Sequence, residues 1–327
     1  MAGAGIIGLG HYAPQRVVTN KELEQRLQMP AEVILERCGI RQRHVAAPEE
    51  ATSDLALQAA RKALADAGLE ASELDLIIVA TSTSDRLSPG SAVSVQAGLG
   101  ATKAAAFDLL AACSGFVYGL VMGCQLIKTG LYKKVLVIGA ETVSKFVDWQ
   151  DANTSILFGD GAGAAVLGEV PDGYGLLGSD LGTDGTEAEV LQIPAGGSRL
   201  PASAETVAKG LHYTEMDGQR VFIFALRTLG ASVRRSLDAA GLDVADVDLL
   251  VPHQANLRII ESAVQRLQFP MEKTFINLER YGNTAAASIP IALSEMKAQG
   301  HLVRDQRLVL VGFGAGLTWG SCVLKWY

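Results

Sequence analysis

The chain has 327 residues, 49% of them hydrophobic, so it is long enough to bury a large core as one long domain or two fused halves. Only 19% of its residues are charged and its net charge is −7, which excludes a general nucleic-acid binder, because such a protein needs a basic face to displace counterions. No apolar run reaches the roughly 18 residues of a membrane span, and Met1 to Gly8 lacks the basic start of a signal peptide. Cysteines at 38, 113, 124 and 322 form no CxxC pair and no metal-ligand spacing. They read as reduced thiols of a cytoplasmic protein without a metal site.

In chain order, residues 5–10 form a short first strand, Thr19 to Leu23 a capped helix start, and Ala31 to Arg37 a helix. The basic cluster Gly39 to His44 reads as a solvated turn. Thr52-Ser53-Asp54 caps an alanine-rich helix that stops at Gly68, and Leu74 to Ala80 is a continuous apolar strand of the parallel-sheet kind. Phe107 to Leu110 reads as the end of another buried strand. From Ser114 the spacing of Phe116, Leu120, Val121, Cys124 and Ile127, stopped by Gly130, is helical. Cys113 therefore sits between a strand and a helix, where the dipole and free N–H groups of a first turn favour a thiolate. A small buried core residue is the other reading of Cys113, and this stretch does not separate the two.

The unit then repeats. Leu64, Ala67-Gly68-Leu69 and Asp75-Leu76 match Leu237, Ala240-Gly241-Leu242 and Asp248-Leu249, an offset of 173 residues. At the same offset, Val135 to Gly139 falls on Leu308 to Gly312. Two distant segments sharing one offset predict an internally duplicated α/β architecture with halves 1–172 and 173–327. The glycine-rich seam between about Gly168 and Gly218 reads as loops and short strands.

Duplicated α/β folds carry reactive groups where strands end. The strand Val247 to Val251 ends in Pro252-His253-Gln254-Ala255-Asn256. Thr274 to Leu278 reads as a strand ahead of Gly282-Asn283-Thr284, and Gly312 to Trp319 as a glycine-rich bend after one more apolar strand. His11, His44, His212 and His301 sit in polar or turn contexts, and Gly159 to Gly163 reads as a packing element. A thiol, two side-chain donors and backbone N–H groups at strand ends have the makings of a site converging on one carbonyl.

Ala111 to Phe116, Val251 to Ile260, Gly282-Asn283-Thr284 and Gly312 to Gly320, together with Phe158 to Gly163 and Arg37 to Arg41, resemble the β-ketoacyl-acyl-carrier-protein synthase III family over essentially the whole chain. The resemblance implies a thiolase-like, internally duplicated, five-layer αβαβα fold. It implies that Cys113 takes an acyl group from a thioester, that His253 and Asn283 hold the oxygen of a decarboxylating malonyl-carrier-protein thioester, and that the backbone N–H groups of Cys113 and Ala315 form an oxyanion hole. It places Arg37, Asn256, Ser88, Phe313 and Gly314 around the substrate arm. It puts carrier-protein docking on Gln254, Ala255, Asn256, Leu257, Arg258 and Arg266, with an acyl-CoA or acyl-carrier thioester as substrate, no cofactor, and a homodimer.

The chain departs from the family pattern at several positions. Cys38 stands where the family usually has threonine, Ala315 where it has glycine, and Ser88 where a partner phenylalanine often closes the acyl pocket. Val33 and Ala152 replace the tryptophan and arginine that clamp adenine, a stack worth about 1–3 kcal/mol per base in comparable settings. The expected donor therefore binds through its pantetheine arm or arrives on a carrier protein, and the expected primer is longer than acetyl. The alternative is a related condensing enzyme of specialised metabolism. A Cys-His-Asn thiol hydrolase or a non-catalytic subunit fits the duplication and the intact trio less well.

Overall fold

The computed structural model describes residues 2–327. Its first part runs β1 (Gly3–Tyr12), β2 (Arg16–Thr19), α1 (Asn20–Leu27), α2 (Ala31–Cys38), β3 (Gln42–Val45), α3 (Thr52–Ala67), β4 (Leu76–Ala80), α4 (Ser91–Leu99), β5 (Ala105–Leu109), α5 (Gly115–Lys128), β6 (Val135–Glu141) and β7 (Gly161–Val170). Its second part runs β8 (Gly175–Thr183), β9 (Leu191–Gln192), α6 (Ala204–Ala208), β10 (Glu215–Met216), α7 (Gly218–Ala240), β11 (Leu249–Pro252), α8 (Leu257–Leu267), α9 (Leu278–Tyr281), α10 (Ser288–Ala298), β12 (Arg307–Gly314) and β13 (Thr318–Lys325).

The apolar strands assemble into two sheets of matching order. The first reads β1-β7-β6-β4-β5, with β4 parallel to both β5 and β6. The second reads β8-β13-β12-β11, with β11 parallel to β12. Its fifth place is filled only by one backbone bridge, Leu250 to Thr274. Helices α3 and α4 cover the outside of the first sheet, α7 and α8 the outside of the second, and α5 and α10 lie between the sheets. This is the five-layer duplicated α/β fold expected from the sequence. Helix α5 buries the anticipated stripe of Phe116, Leu120, Val121, Cys124 and Ile127, which packs on both sheets. Burying one such side chain fully contributes about 1.5–3 kcal/mol, and α5 shares this role between the sheets with Ile289, Ala292, Leu293 and Met296 of α10.

The duplication reaches atomic contacts. A Cβ on Gly139 would lie 2.1 Å from the Ala286 carbonyl oxygen, and one on Gly312 would lie 3.2 Å from the Cys113 carbonyl oxygen. Both pairs obey the 173-residue offset, so each sheet presses a glycine against the helix start that belongs to the other. The stretch Gly159 to Gly163 does pack: a Cβ on Gly163 would lie 2.6 Å from the Ile291 backbone nitrogen.

Four expectations need correction. Strand β5 is the edge of its sheet and is not buried; Phe107 is 39% and Leu110 78% exposed. The Gly39–His44 cluster is not a solvated turn, because β3 pairs with β2 and carries Arg43 fully inside. Arg43 donates to the Ile156 carbonyl (2.6 Å) and to Asn20 Oδ1 (2.9 Å), without a carboxylate partner, and burial pulls its pKa down to about 10. The seam is shorter than expected, since β8 is a nine-residue strand of the second sheet and loops begin only after Thr183. Thr274 to Leu278 is no strand: the bridge at Thr274 ends with the Phe275 N–H on the Leu250 carbonyl (2.9 Å), after which the Phe275 carbonyl and the Asn277 and Leu278 N–H groups bond to the Gln254 side chain instead of to a neighbouring strand. Among the described residues no helix is long and apolar enough to cross a membrane.

Candidate active site

Between β5 and α5 the chain makes one 3-10 turn, Ala112–Ser114, entered with Ala112 at φ 47°. That left-handed conformation costs a non-glycine residue about 1–2 kcal/mol, and the surroundings hold it in place. Ser114 Oγ donates to the Ala111 carbonyl (2.7 Å) and lies 2.9 Å from Thr318 Oγ1, which itself sits 3.0 Å from the same carbonyl. Thr318 opens β13, so the second sheet locks the turn that carries Cys113.

Cys113 is 8% exposed. Burial, then the charge of Glu141, pushes its thiol up to about 12, while its own backbone N–H pulls the other way. Three pH units correspond to about 4 kcal/mol, whereas a helix terminus supplies about 0.3–2 kcal/mol. Desolvation wins, and the resting group is a neutral thiol rather than the thiolate expected from the helix start.

His253 follows β11 directly, and its N–H donates to the Val311 carbonyl on β12 at 2.7 Å. The ring stands edge-on to Phe313, with centroids 5.6 Å apart, and burial pushes its pKa down to about 3. Its Nδ1 is buried without a partner. An orphaned lone pair is less costly than an orphaned N–H, which places the proton of this neutral imidazole on Nε2.

Asn283 is held by backbone bonds on both sides. Its N–H donates to the Leu157 carbonyl (2.8 Å) and its carbonyl accepts from Gly159 (3.0 Å). Its side-chain Oδ1 accepts the Ala285 N–H at 2.9 Å, which leaves the amide NH2 as the end free to donate.

One cavity of about 450 Å³ is lined by Cys113, His253 and Asn283 together. Arg37, Asn256, Phe313 and Gly314 also line it. Asn256 has little left to offer a ligand, because its Oδ1 caps α8 at Arg258 and its Nδ2 donates to the Arg37 carbonyl (3.1 Å). Ala152 borders this cavity and Val33 does not. A second cavity of about 410 Å³ opens on the other side of Cys113, lined by Leu110, Val143, Phe146, Ile193 and Ala315 among others. Ser88 lines neither cavity and is exposed.

Two of the expected docking residues are misplaced: Gln254 is 1% and Ala255 7% exposed, so neither meets a partner. Leu257 is partly exposed, and Arg258 and Arg266 lie on the surface. Sequence reasoning also missed Glu141, a fully buried carboxyl on the wall of the second cavity. It accepts from Thr83 Oγ1 (2.7 Å) and from the Ser82 N–H (3.1 Å), and burial raises its pKa to about 7. Its position directly after the apolar run Val135 to Ala140 was the available signal.

A duplicated five-layer fold with a buried cysteine at a central helix start, facing a histidine and an asparagine, defines a thiolase-like condensing acyltransferase. Residues 107–185 match the family 3-oxoacyl-[acyl-carrier-protein (ACP)] synthase III, and residues 237–326 match its C-terminal region. The beta-ketoacyl-[acyl-carrier-protein] synthase III of Caldanaerobacter subterraneus subsp. tengcongensis is 53% identical over 323 residues, covering 99% of this chain and 98% of that one. The crystal structure of 3-oxoacyl-[acyl-carrier-protein] synthase III from Aquifex aeolicus VF5 is 42% identical with a TM-score of 0.92, covering 99% of this chain and 100% of that one. The priming beta-ketosynthase of the R1128 polyketide pathway is 36% identical with a TM-score of 0.91, covering 99% and 96%. The chain belongs to the β-ketoacyl-acyl-carrier-protein synthase III family.

Proposed function

We propose that this protein condenses an acyl thioester primer with malonyl-acyl-carrier protein, releasing CO2 and giving the 3-oxoacyl-carrier protein that starts fatty-acid synthesis. The observation that carries this reading is the shared cavity of Cys113, His253 and Asn283. In the first half-reaction Cys113 gives up its thiol proton and attacks the primer carbonyl, and the donor thiol leaves. The backbone N–H groups of Cys113 and Ala315 take the oxyanion. In the second, the malonyl C–CO2 bond breaks and its electrons form an enolate. A neutral imidazole and an amide NH2 suit that step, because they stabilise developing negative charge without an ion to desolvate beforehand. The carbanion attacks the acyl-Cys113 carbonyl, and the cysteine sulfur leaves as the new C–C bond forms.

The apolar second cavity supports a primer longer than acetyl. The donor meets Arg37 at the first cavity, where Asn256 holds the Arg37 backbone in place, and, with Val33 and Ala152 in place of an adenine clamp, depends on its pantetheine arm or on a carrier protein. The edge strand β5, with Phe107, Leu110 and the 89%-exposed Leu87 nearby, supports a homodimer in which Ser88 lies near the seam. Arg258 and Arg266, beside Asn256 and Leu257, are the residues of the docking patch left at the surface to steer an acidic carrier protein, an attraction that weakens with salt. The altered adenine site also favours a second reading, a primer-selecting condensing enzyme of specialised metabolism.

The test is intact-protein mass spectrometry after incubation with acyl-CoA and acyl-carrier donors of increasing length, followed by malonyl-carrier protein. The expected result is an acyl adduct on Cys113 that disappears as CO2 and a 3-oxoacyl carrier form. Free acid without condensation would overturn the proposal, and efficient micromolar use of acetyl-CoA with failure of octanoyl donors would overturn the donor and primer assignments.

A further inference from the structure

Gln254 is next to His253 in sequence, yet its side chain is 1% exposed and lines neither of the two cavities beside Cys113. Its amide is fully used. Nε2 donates to the carbonyls of Pro252 (2.8 Å) and Phe275 (3.2 Å), and Oε1 accepts the N–H groups of Asn277 (3.0 Å) and Leu278 (3.2 Å). These four partners fall into two groups: the residue just before His253, and the segment that leads to Asn283. One primary amide thus spans the two chain segments that deliver the two side-chain donors.

The same segment is gripped from behind. Glu295 on α10 is 6% exposed and accepts from Asn277 Nδ2, from both terminal nitrogens of Arg280, and from Tyr281 Oη, each at 2.8 Å. These donors hold its carboxyl below the usual range against the opposing pull of burial. Every one of them lies within residues 277–281, and the Gly282 N–H returns to the Leu278 carbonyl at 2.8 Å before Asn283 begins. Asn277 joins the two grips, with its N–H on Gln254 and its side chain on Glu295.

We propose that Gln254 and Glu295 are positioning residues that together fix the separation of His253 and Asn283, so that both donors meet one oxygen in the decarboxylating half-reaction. Neither touches the reacting atoms. The inference rests on the roles assigned above to His253 and Asn283, and it takes Gln254 out of carrier docking. A misplacement of about 1 Å costs on the order of 100-fold in rate, so a bracket of this kind is worth about as much as a donor.

The test separates the half-reactions in Gln254→Met, Gln254→Glu, Glu295→Ala and Glu295→Gln. Acylation of Cys113 is followed by intact mass and CO2 release from malonyl-carrier protein by isotope counting. Expected in Gln254→Met and Glu295→Ala is acylation within about threefold of the parent protein, CO2 release down about 10- to 100-fold in kcat, and KM for the malonyl carrier little changed. Glu295→Gln, which keeps one acceptor oxygen, should recover part of the loss. A raised KM with unchanged kcat would return Gln254 to docking and overturn the proposal, as would acylation and CO2 release falling together, or unchanged kinetics. Should Gln254→Met fail to fold, Gln254→Glu and the two Glu295 variants carry the same test. A parent protein that acylates Cys113 but releases no CO2 from malonyl carrier would instead refute the underlying roles of His253 and Asn283, a failure visible before any variant is made.

Discussion

The turn Ala112–Ser114 and the turn Ala285–Ala287 are the same structure made twice. Each is one 3-10 turn that opens a central helix, and each is entered by an alanine with positive φ, 47° at Ala112 and 43° at Ala285. Both comply with the 173-residue offset, which sets Cys113 opposite Ala286. The strained backbone is therefore a property of the scaffold and no mark of catalysis. What differs is the surrounding room. The Ala286 carbonyl is pressed so close to Gly139 that a Cβ there would stand 2.1 Å away, whereas around Cys113 the matching distance is 3.2 Å and cavities open on two sides. One copy is packed as a wedge between the sheets, and the other is left free to meet a substrate.

The strongest way to break this comparison is to move the thiol. Cys113→Ala should lower acylation by about 10⁴-fold or more, as expected for removal of a nucleophile. The double variant Cys113→Ala/Ala286→Cys should gain nothing, because residue 286 is 1% exposed and lines neither of the two cavities beside Cys113. Intact mass after incubation with acyl thioester reads both, and an acyl adduct on the relocated thiol would make the two turns chemically equivalent.

Next in size come the donors from the second sheet. His253→Ala or Asn283→Ala should each cut CO2 release from malonyl carrier by about 10²- to 10³-fold while acylation changes only a few-fold. Equal losses in both half-reactions would mean that the second sheet serves the thiol itself.

The glycine pair sharpens the comparison through stability. Gly139→Ala drives a methyl into backbone and should cost about 3 kcal/mol or more in chemical denaturation. Gly312→Ala meets Cys113 O at 3.2 Å and Ser114 Cα at 3.3 Å, so a shift of a few tenths of an ångström accommodates it at about 1 kcal/mol. Its main effect should be slower acylation, because the part that shifts is the Cys113 turn.

Much of this was legible in the sequence, for a physical reason. Apolar strands and helix stripes bury area, so their periodicity and the repeat offset survive in the letters, and Cys113 and His253 stand out by lying at strand ends, whereas Asn283 follows the short helix α9 where a strand was expected. The rest is set by partners distant in the chain. Thr274 to Leu278 has strand composition, but Gln254 takes the bonds a neighbouring strand would have taken; at the offset-equivalent position the short Thr81 does not, and β4 pairs with a full strand β5. Arg43 reads as solvated because nothing local shows that Asn20 and Ile156 will satisfy it. Gln254 itself stood inside a run that reads as surface, since no pattern in one sequence reveals that an amide faces inward.

The smallest predicted effect contrasts a buried acid of the first sheet with the buried base of the second. Burial lowers the His253 pKa from 6.5 to about 3, so the unfolded chain takes up a proton below pH 6.5 that the fold refuses, and stability falls as pH drops. Burial raises the Glu141 pKa from 4.5 to about 7, so the fold keeps a proton that the unfolded chain releases above pH 4.5, and stability falls as pH rises. Between about pH 4.5 and 6.5 the two slopes, each about 1.4 kcal/mol per pH unit, oppose one another and nearly cancel. Unfolding free energy measured in urea at pH 5.5 and 6.5 should expose them separately. Relative to the parent protein, His253→Asn should gain about 1 kcal/mol on moving from pH 6.5 to pH 5.5, and Glu141→Gln should lose about as much. If neither variant alters the pH dependence, then one or both groups are hydrated in the folded protein, and the neutral imidazole on which the proposed enolate site depends loses its physical basis.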